Sequence, residues 1–163
     1  MSILELLQDG FFAAIAAIGF GSISNVPVKA FAGCALLAAM GHATRFALMG
    51  CTSCSIIIAS FIASLVIGLM SIPFARWWHS PAESLSFPAL LPMIPGMYAY
   101  RMVEALLRCM TDIPEPDFLH FLYLFCYNGM VCFAIIILMV VGVTLPLFMF
   151  GNIPYGVTRR RRG

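Results

Sequence analysis

The sequence has few charged residues, and this shortage excludes a water-soluble domain. Only 10% of its 163 residues are charged, whereas 62% are hydrophobic and the mean hydropathy is +0.99. Soluble domains have about 25% charged residues and about 45–50% apolar residues. Since a membrane-spanning helix needs roughly 20 mainly apolar residues, the composition predicts an integral membrane protein.

Motifs of catalysis and metal binding are also missing. The sequence contains no nucleotide-binding glycine loop, no GxSxG and no HExxH, so we expect no enzymatic activity and no cofactor. Cys51 and Cys54 form a CxxC pair, but the second pair or flanking histidines of a four-ligand zinc site are absent. We expect no metal site. A disulfide in that turn is the alternative to free thiols, which we favour.

The N-terminus lacks the basic region and small-residue cleavage site of a signal peptide, because Glu5 and Asp9 occupy its first turns. The first apolar stretch is therefore expected to stay as a membrane helix. Four of the nine basic residues form the cluster Arg159–Arg162. Such a cluster beside a span fixes topology or contacts the lipid bilayer, and we expect no nucleic-acid binding.

Apolar segments separated by turn-forming residues predict an all-α, polytopic membrane fold with about five transmembrane helices. We predict one helical domain over residues 1–157 and a basic tail at 158–163. The segments are drawn at about 3–24, 30–49, 55–72, 85–109 and 118–150. At about 1.5 Å per residue the last segment exceeds a hydrocarbon core of about 30 Å, so it must tilt, protrude or break near Asn128-Gly129.

Basic residues in short loops predict the orientation of the helices. With five spans, Lys29, Arg76 and the arginine tail lie on one side of the membrane, while Arg45 and Arg108 lie towards the other. Basic loops favour the cytoplasmic side, which predicts a cytoplasmic C-terminus. If the proline-rich segment re-enters the membrane without crossing it, the number of crossings falls by one and the predicted side of the C-terminus changes.

Three prolines interrupt the fourth segment. Pro88, Pro92 and Pro95 precede Gly96, after which a helical pattern begins. Such backbone is tolerated at membrane depth only against protein or a water-filled cavity. We predict an extended or broken stretch and then a helix that starts near Gly96. Its free N–H groups and partial positive charge would suit a substrate carboxylate; a simple packing kink is the alternative.

Two groups of ionisable residues lie in apolar surroundings, where such residues are costly. His42 and Arg45 share one helix face, and together they suit proton exchange and carboxylate binding. Alternatively, Arg45 extends to the membrane surface and His42 bonds a carbonyl group. The second group is Arg101, Glu104 and Arg108. Glu104 either pairs within its own helix or binds a proton or ligand in a cavity.

Three further residues are predicted to have structural roles. Asn25 is a candidate helix cap and Pro27 follows it in the turn after the first segment. Asn128 is a candidate for a hydrogen bond between helices.

In chain order, several of these elements resemble the threonine/serine exporter family, in its small-subunit or C-terminal-half form. They are Gly19-Phe20, Asn25-Val26-Pro27-Val28, Cys34-Ala35-Leu36-Leu37, Gly41-His42 with Arg45, and Pro92-Met93-Ile94-Pro95-Gly96 with Ala99-Tyr100. The resemblance implies an inner-membrane secondary exporter of about ten helices in two halves. It also implies a separately encoded large subunit and a small carboxylate solute, such as threonine, serine or succinate.

The resemblance carries His42, Arg45, Pro95, Gly96 and Tyr100 over as motif positions. The hypothesis that follows is a proton-linked exporter subunit, in which Arg45 or Arg101 adds charge near Gly96 and His42 or Glu104 exchanges a proton. Two alternatives remain open. One is a structural subunit that only stabilises a partner, and the other is a homo-oligomeric channel, which would require a higher oligomer.

Overall fold

The structure, a computed structural model, describes residues 3–51, 54–111 and 114–150. Within these ranges the chain is helical, which confirms the predicted all-α class. The helices are α1 (Ile3–Ile23), α2 (Phe31–Cys51), α3 (Ile56–Trp78), α4 (Ala82–Leu90), α5 (Gly96–Cys109) and α6 (Glu115–Phe150), with 3-10 turns at Val28–Ala30 and Leu91–Met93. The arginine tail and the centre of the Cys51-x-x-Cys54 turn lie outside the described residues.

Four stretches of helix are long and apolar enough to cross a bilayer. They are Leu4–Ile23, Val28–Gly50, Ile56–Trp78 and Glu115–Phe150. The chain is therefore an integral membrane protein. The fourth predicted segment is not one long helix, because it is divided into α4, a 3-10 turn and α5.

The turn between α1 and α2 is closed by Asn25. This residue has a positive φ of 55°, and the N–H of Val26 donates to the carbonyl of Gly21 at 3.0 Å. This is the Schellman arrangement that ends a helix. Asn25 thus caps the C-terminus of α1 and not the N-terminus of the next helix. Pro27 follows, and its carbonyl accepts from Ala30 at 2.7 Å to start the 3-10 turn.

Small residues hold α3 and α6 close together. A Cβ at Gly142 would overlap the Ser64 hydroxyl, and a Cβ at Gly68 would lie 2.6 Å from the Val143 carbonyl oxygen. Small side chains let two helix backbones come this close, which favours packing in a membrane, where lipid supplies no hydrophobic driving force for helix association. Because residue numbers rise together along this contact, the two helices run in the same direction.

The direction of α6 determines the path of the proline-rich segment. Since α6 runs parallel to α3, the chain between them must return to the end of the helical layer where α3 begins. Consistently, Phe87 shares a groove with Val143, whereas Ile94 lies with Ile136 in the next groove. The segment therefore crosses the layer antiparallel to α6 and does not re-enter from the same side.

Of the predicted extended or broken stretch, the structure has the broken form, because α4 is helical through Pro88 and a 3-10 turn follows it. A proline has no N–H to donate to the carbonyl four residues earlier. That carbonyl belongs to Ser84, and the Cys34 thiol of α2 donates to it at 3.8 Å. The thiol thus supplies a donor where Pro88 removes one.

The break lies after the Leu91–Met93 turn, as the Pro-x-x-Pro-Gly pattern predicts. The N–H of Ile94 donates back to Leu91 at 3.2 Å, Pro95 is the residue that precedes α5, and α5 begins at Gly96. The prediction that a helix starts near Gly96 is confirmed.

Helix α6 is continuous for 36 residues, about 54 Å at the α-helical rise. It does not break at Asn128-Gly129. The Asn128 amide donates within the helix to the carbonyl of Leu124 at 2.7 Å, so the predicted hydrogen bond between helices is not formed. Gly129 instead makes room for Met102 of α5, whose sulfur would lie 3.1 Å from an added Cβ.

The N-terminal half of α6 extends beyond the other long helices. Ser64 is level with Gly142, and α3 begins eight residues before Ser64, so α6 passes the start of α3 at about residue 134. The preceding 19 or so residues project by about 28 Å. Helix α5 lies antiparallel along them, with the Cys109 thiol 4.0 Å from the Phe118 carbonyl. We call α5 and residues 115–133 of α6 the projecting hairpin.

Candidate functional site

Asp9 of α1 and His42 of α2 meet across the interface between these helices. Asp9 Oδ2 lies 3.0 Å from His42 Nδ1. His42 is 6% exposed, whereas the Asp9 side chain is 35% exposed. With Asp9 ionised, Nδ1 donates the hydrogen bond, and Nε2 is then an acceptor in the neutral ring or a second donor in the imidazolium.

The other ring nitrogen of His42, Nε2, is buried. The Pro92 backbone acts on the ring as a hydrogen-bond partner, although no partner among the described residues meets full hydrogen-bond geometry with Nε2. An unmatched buried polar atom costs about 1–3 kcal/mol. Such a cost in a native structure is a reason to examine the position as a ligand contact.

Arg45 joins the same cluster from one turn further along α2. Its Nη1 donates to the Met93 carbonyl at 3.0 Å, and its charge interacts with Asp9. The guanidinium has five donors in total, so four remain for other acceptors. Arg45 is thus held against the helix break, which differs from the alternative in which it extends to the membrane surface.

The cluster lies between the middle and one end of the spanning helices. His42 is three residues from the centre of the Val28–Gly50 span, or about 4–5 Å along the helix. Asp9 is about 7 Å from the centre of the Leu4–Ile23 span by the same measure. A partly exposed carboxylate at this depth requires protein or a water-filled cavity beside it, because lipid does not accommodate its charge.

Gly41 allows the helices around this cluster to approach closely. A Cβ at this position would overlap Ile67 Cδ1 of α3 and lie 3.4 Å from the Met93 sulfur. A larger residue would require the Ile67 side chain of α3 to move. The glycine before His42 therefore permits the close packing of α2 on α3 beside the Pro92–Gly96 turn.

The amide groups at the start of α5 are mostly engaged. The N–H of Gly96 donates to Ile94 at 2.8 Å, and the N–H groups of Tyr98 and Ala99 both donate to Pro95 at 3.1 Å. The expectation of a free N–H at Gly96 is thus not met. Among the described residues of the first turn of α5, the N–H group of Met97 is the one that donates to no backbone carbonyl.

The predicted residues of α5 lie apart from the cluster. Tyr100, Arg101 and Glu104 are exposed on the projecting hairpin. Within the described ranges no ion pair joins Glu104 to either neighbouring arginine, so the predicted neutralisation inside the helix is not formed. Arg108 instead lies over the Phe121 ring at 5.8 Å. The structure brings together His42, Arg45 and the break, but not the charges of α5.

Comparison with known proteins adds a family to this geometry. The profile described as Threonine/Serine exporter, ThrE, matches residues 9–149. The chain belongs to the threonine/serine exporter family. An uncharacterized protein of Haemophilus influenzae is 39% identical over 105 residues, which cover 64% of this chain and 35% of the relative. The chain thus spans about a third of the length of that relative. No solved structure matches.

Membership of the threonine/serine exporter family confirms the resemblance inferred from the motifs and assigns the chain to a family of transporters. The match begins at Asp9 and includes His42, Arg45 and the break, so the whole cluster lies inside the family region.

Asp9 is the site residue that the sequence reasoning missed. Its signal was present, because Asp9 is an ionisable residue within the apolar first span and the rule applied to His42 covers it equally. What the sequence did not provide is the pairing. Asp9 and His42 are 33 positions apart, and only the packing of α1 on α2 brings them together.

Proposed function

We propose that this chain is one half of a secondary exporter that moves small carboxylate-bearing solutes across a bacterial inner membrane, linked to protons. Its C-terminus would lie in the cytoplasm. The observation that carries the proposal is the cluster of Asp9, His42 and Arg45 within the spanning helices, packed against the Pro92–Gly96 break. Family membership supports transport, and the cluster supplies groups suited to the solute and the proton.

Arg45 is the proposed carboxylate contact. One N–H is used by the Met93 carbonyl, and the remaining fork can bind a carboxylate through two parallel hydrogen bonds. The Met97 N–H at the start of α5 adds a donor and the partial positive charge of a helix N-terminus. Serine and threonine also carry an ammonium group, for which Asp9 is a suitable acceptor.

His42 is the proposed proton-binding group, with Asp9 as its partner. Among the described residues, the charged groups that act on His42 are Asp9 of α1 and Arg45 of α2. With His42 neutral these two charges cancel. A solute with one net negative charge leaves this cluster at −1, which a proton on His42 neutralises, whereas zwitterionic serine or threonine adds no net charge. Because net charge is costly at this depth, the binding of a net anion and the binding of the proton favour each other, which corresponds to movement of both in the same direction.

A second half is proposed to cover Asp9. This carboxylate is one-third exposed within a spanning helix, so another polar surface is needed beside it. The Haemophilus influenzae relative contains nearly twice as much sequence outside the aligned region as within it, which supports additional helices in the working transporter. In our proposal a larger, separately encoded subunit provides them.

The proposal is tested with purified chain in proteoliposomes, alone and with a candidate large subunit of the same family. Uptake of labelled serine, threonine and succinate is measured with and without a pH gradient. Gradient-driven flux that requires both chains is the expected result. Flux through this chain alone would favour the homo-oligomeric channel. Full flux by the large subunit alone would reduce this chain to a structural role.

A further inference from the structure

A groove on the projecting hairpin contains charges of both signs that are unpaired in the described part of the chain. The groove has a volume of about 380 Å³ and lies between α5 and α6. Its polar lining consists of Arg101, Glu104, Tyr127 and Asn128, and Phe121 and Leu124 contribute apolar surface. Neither Arg101 nor Glu104 forms an ion pair or a hydrogen bond with another described side chain. We call this space the hairpin groove.

Asn128 adds a free acceptor to the wall of the hairpin groove. The residue is 4% exposed, and its Nδ2 donates to the carbonyl of Leu124 at 2.7 Å, which fixes the orientation of the amide. Oδ1 has no donor among the described residues, yet it is not one of the unmatched side-chain atoms that are sealed from solvent. Oδ1 is therefore accessible from the groove and available to an N–H group of a ligand.

The two charges of the groove are close enough for one small ligand to contact both. Arg101 and Glu104 are one turn apart on α5, a spacing at which Cβ atoms are about 5–6 Å apart. A direct pair at this spacing contributes little to stability, so a ligand loses little by replacing it. An anion alone would meet the carboxylate of Glu104, and a cation alone would meet Arg101. A ligand with both charges is complementary to both residues.

The hairpin groove lies at a level that water and lipid headgroups both reach. Asn128 is about six residues before the level of α6 at which α3 begins, which corresponds to about 9 Å. A bilayer adds about 5–7 Å of headgroups on each side of its hydrocarbon core. The groove is therefore level with the outer edge of the headgroup layer, where charged side chains do not carry the cost that they carry in the core.

We infer that the hairpin groove binds a zwitterionic group, with its carboxylate or phosphate at Arg101 and its ammonium group at Glu104 and Asn128 Oδ1. The guanidinium fork suits two oxygens of a carboxylate or phosphate, and an ammonium group has three donors for the two acceptors. A free amino acid and the ethanolamine headgroup of a lipid share this chemistry. The site is separate from the cluster of Asp9, His42 and Arg45, and the inference does not depend on transport through that cluster.

The test has one arm for each source of the zwitterion. In the first arm, equilibrium binding of labelled serine is measured on the full chain in nanodiscs of phosphatidylglycerol, a lipid without an ammonium group. In the second arm, nanodiscs also contain phosphatidylethanolamine, and the copies of it that stay bound to the released chain are counted by native mass spectrometry. Bound serine assigns the site to a free solute, and retained phosphatidylethanolamine assigns it to a headgroup. If neither binds, the inference is overturned.

Glu104→Gln is expected to weaken binding of that ligand at least about tenfold, because a hydrogen bond between charged groups is lost. The variant is also expected to lose its preference for the ligand with an ammonium group. That preference is measured as serine against glycerate, which has a hydroxyl in its place, or as phosphatidylethanolamine against phosphatidylglycerol. A structural effect of the substitution would not change this preference. Unchanged preference in Glu104→Gln would overturn the inference.

Glu115→Gln is the matched control, since it makes the same chemical change at an exposed position of the projecting hairpin outside the groove. Its binding and preference are expected to equal those of the wild type. Arg45→Gln separates this site from the cluster, because it removes the proposed carboxylate contact there and leaves the groove unaltered. Binding that persists in Arg45→Gln and falls in Glu104→Gln belongs to the hairpin groove. Binding that falls only in Arg45→Gln belongs to the cluster and contradicts a site in the groove.

Discussion

The two ring nitrogens of His42 have different surroundings. Nδ1 lies 3.0 Å from Oδ2 of Asp9, whereas Nε2 is buried and unmatched within the described residues. A hydrogen bond at one ring nitrogen fixes the tautomer and the direction of the other. Asp9 therefore orients the imidazole so that Nε2 faces the Pro92 backbone, and the charge of Arg45 acts on the same ring.

Asp9→Asn is expected to uncouple flux from the pH gradient. The amide keeps an oxygen near His42 but removes the charge that stabilises its protonated form. We expect gradient-driven export to fall at least about tenfold, equivalent to about 1.4 kcal/mol, while exchange of labelled for unlabelled solute at equal pH continues. Both fluxes are measured in proteoliposomes that contain the complete transporter.

Asp117→Asn provides the control for that experiment, because it makes the same chemical change at an exposed position at the start of α6. Its flux should equal that of the wild type. If Asp9→Asn keeps its full response to the pH gradient, the proposed role of the Asp9–His42 pair in proton binding is wrong. A loss that is confined to serine and threonine, with succinate unaffected, would instead assign Asp9 to the substrate ammonium group.

Arg45→Lys is expected to raise the KM for the carboxylate solute about tenfold with a smaller change in kcat. An ammonium group lacks the planar fork, so it does not hold the Met93 carbonyl and grip a carboxylate in the same way. Arg76→Lys at the exposed end of α3 is the control. An unchanged KM in Arg45→Lys would contradict carboxylate binding by Arg45.

Local patterns in the sequence predicted the helix break well. Pro95 fixes its own φ and restricts the residue before it where α5 begins, and such restrictions act on neighbouring residues only. Pro88 does not interrupt its helix, since α4 continues through it, and a thiol from another helix contacts the carbonyl of Ser84 that Pro88 leaves without a donor. No local pattern contains that contact.

Contacts between distant residues account for the other differences. Asn128 and Gly129 resemble a helix interruption when read alone, but α6 is continuous there, and Met102 of α5 packs over the glycine. The spacing of His42 and Arg45 predicted a shared face, while their partners Asp9 and Met93 depend on how α1, α2 and the break pack. The sequence thus indicated two of the three residues of the cluster, His42 and Arg45, but not the contacts that they make.

Gly41→Ala is expected to destabilise the fold by about 1–3 kcal/mol, the usual cost of overpacking a core. The added methyl group would overlap Ile67 Cδ1. Ile67→Val removes that atom and is expected to recover part of the loss in the double variant. Unfolding is followed by the reaction of the buried thiols of Cys34 and Cys132 with a thiol-reactive dye on heating.

Gly19→Ala is the control for this prediction, because nothing lies within 4 Å of a Cβ added there. Its unfolding temperature should match that of the wild type. If Gly41→Ala is as stable as the control, the close contact of α2 with α3 and the break is not present in the protein.

Gly142→Ala tests the parallel contact of α3 with α6. A second substitution, Ser64→Ala, should restore its stability less completely than Ile67→Val restores that of Gly41→Ala. The added Cβ would overlap the Ser64 hydroxyl and lie 2.9 Å from the Phe61 carbonyl oxygen. Ser64→Ala removes the hydroxyl, but the Phe61 carbonyl belongs to the backbone of α3 and moves only with the helix. The double variant is therefore expected to remain less stable than Ser64→Ala alone in the same thiol assay. Equal stability of these two proteins would contradict the register of α3 on α6, and with it the projection of the hairpin beyond the start of α3.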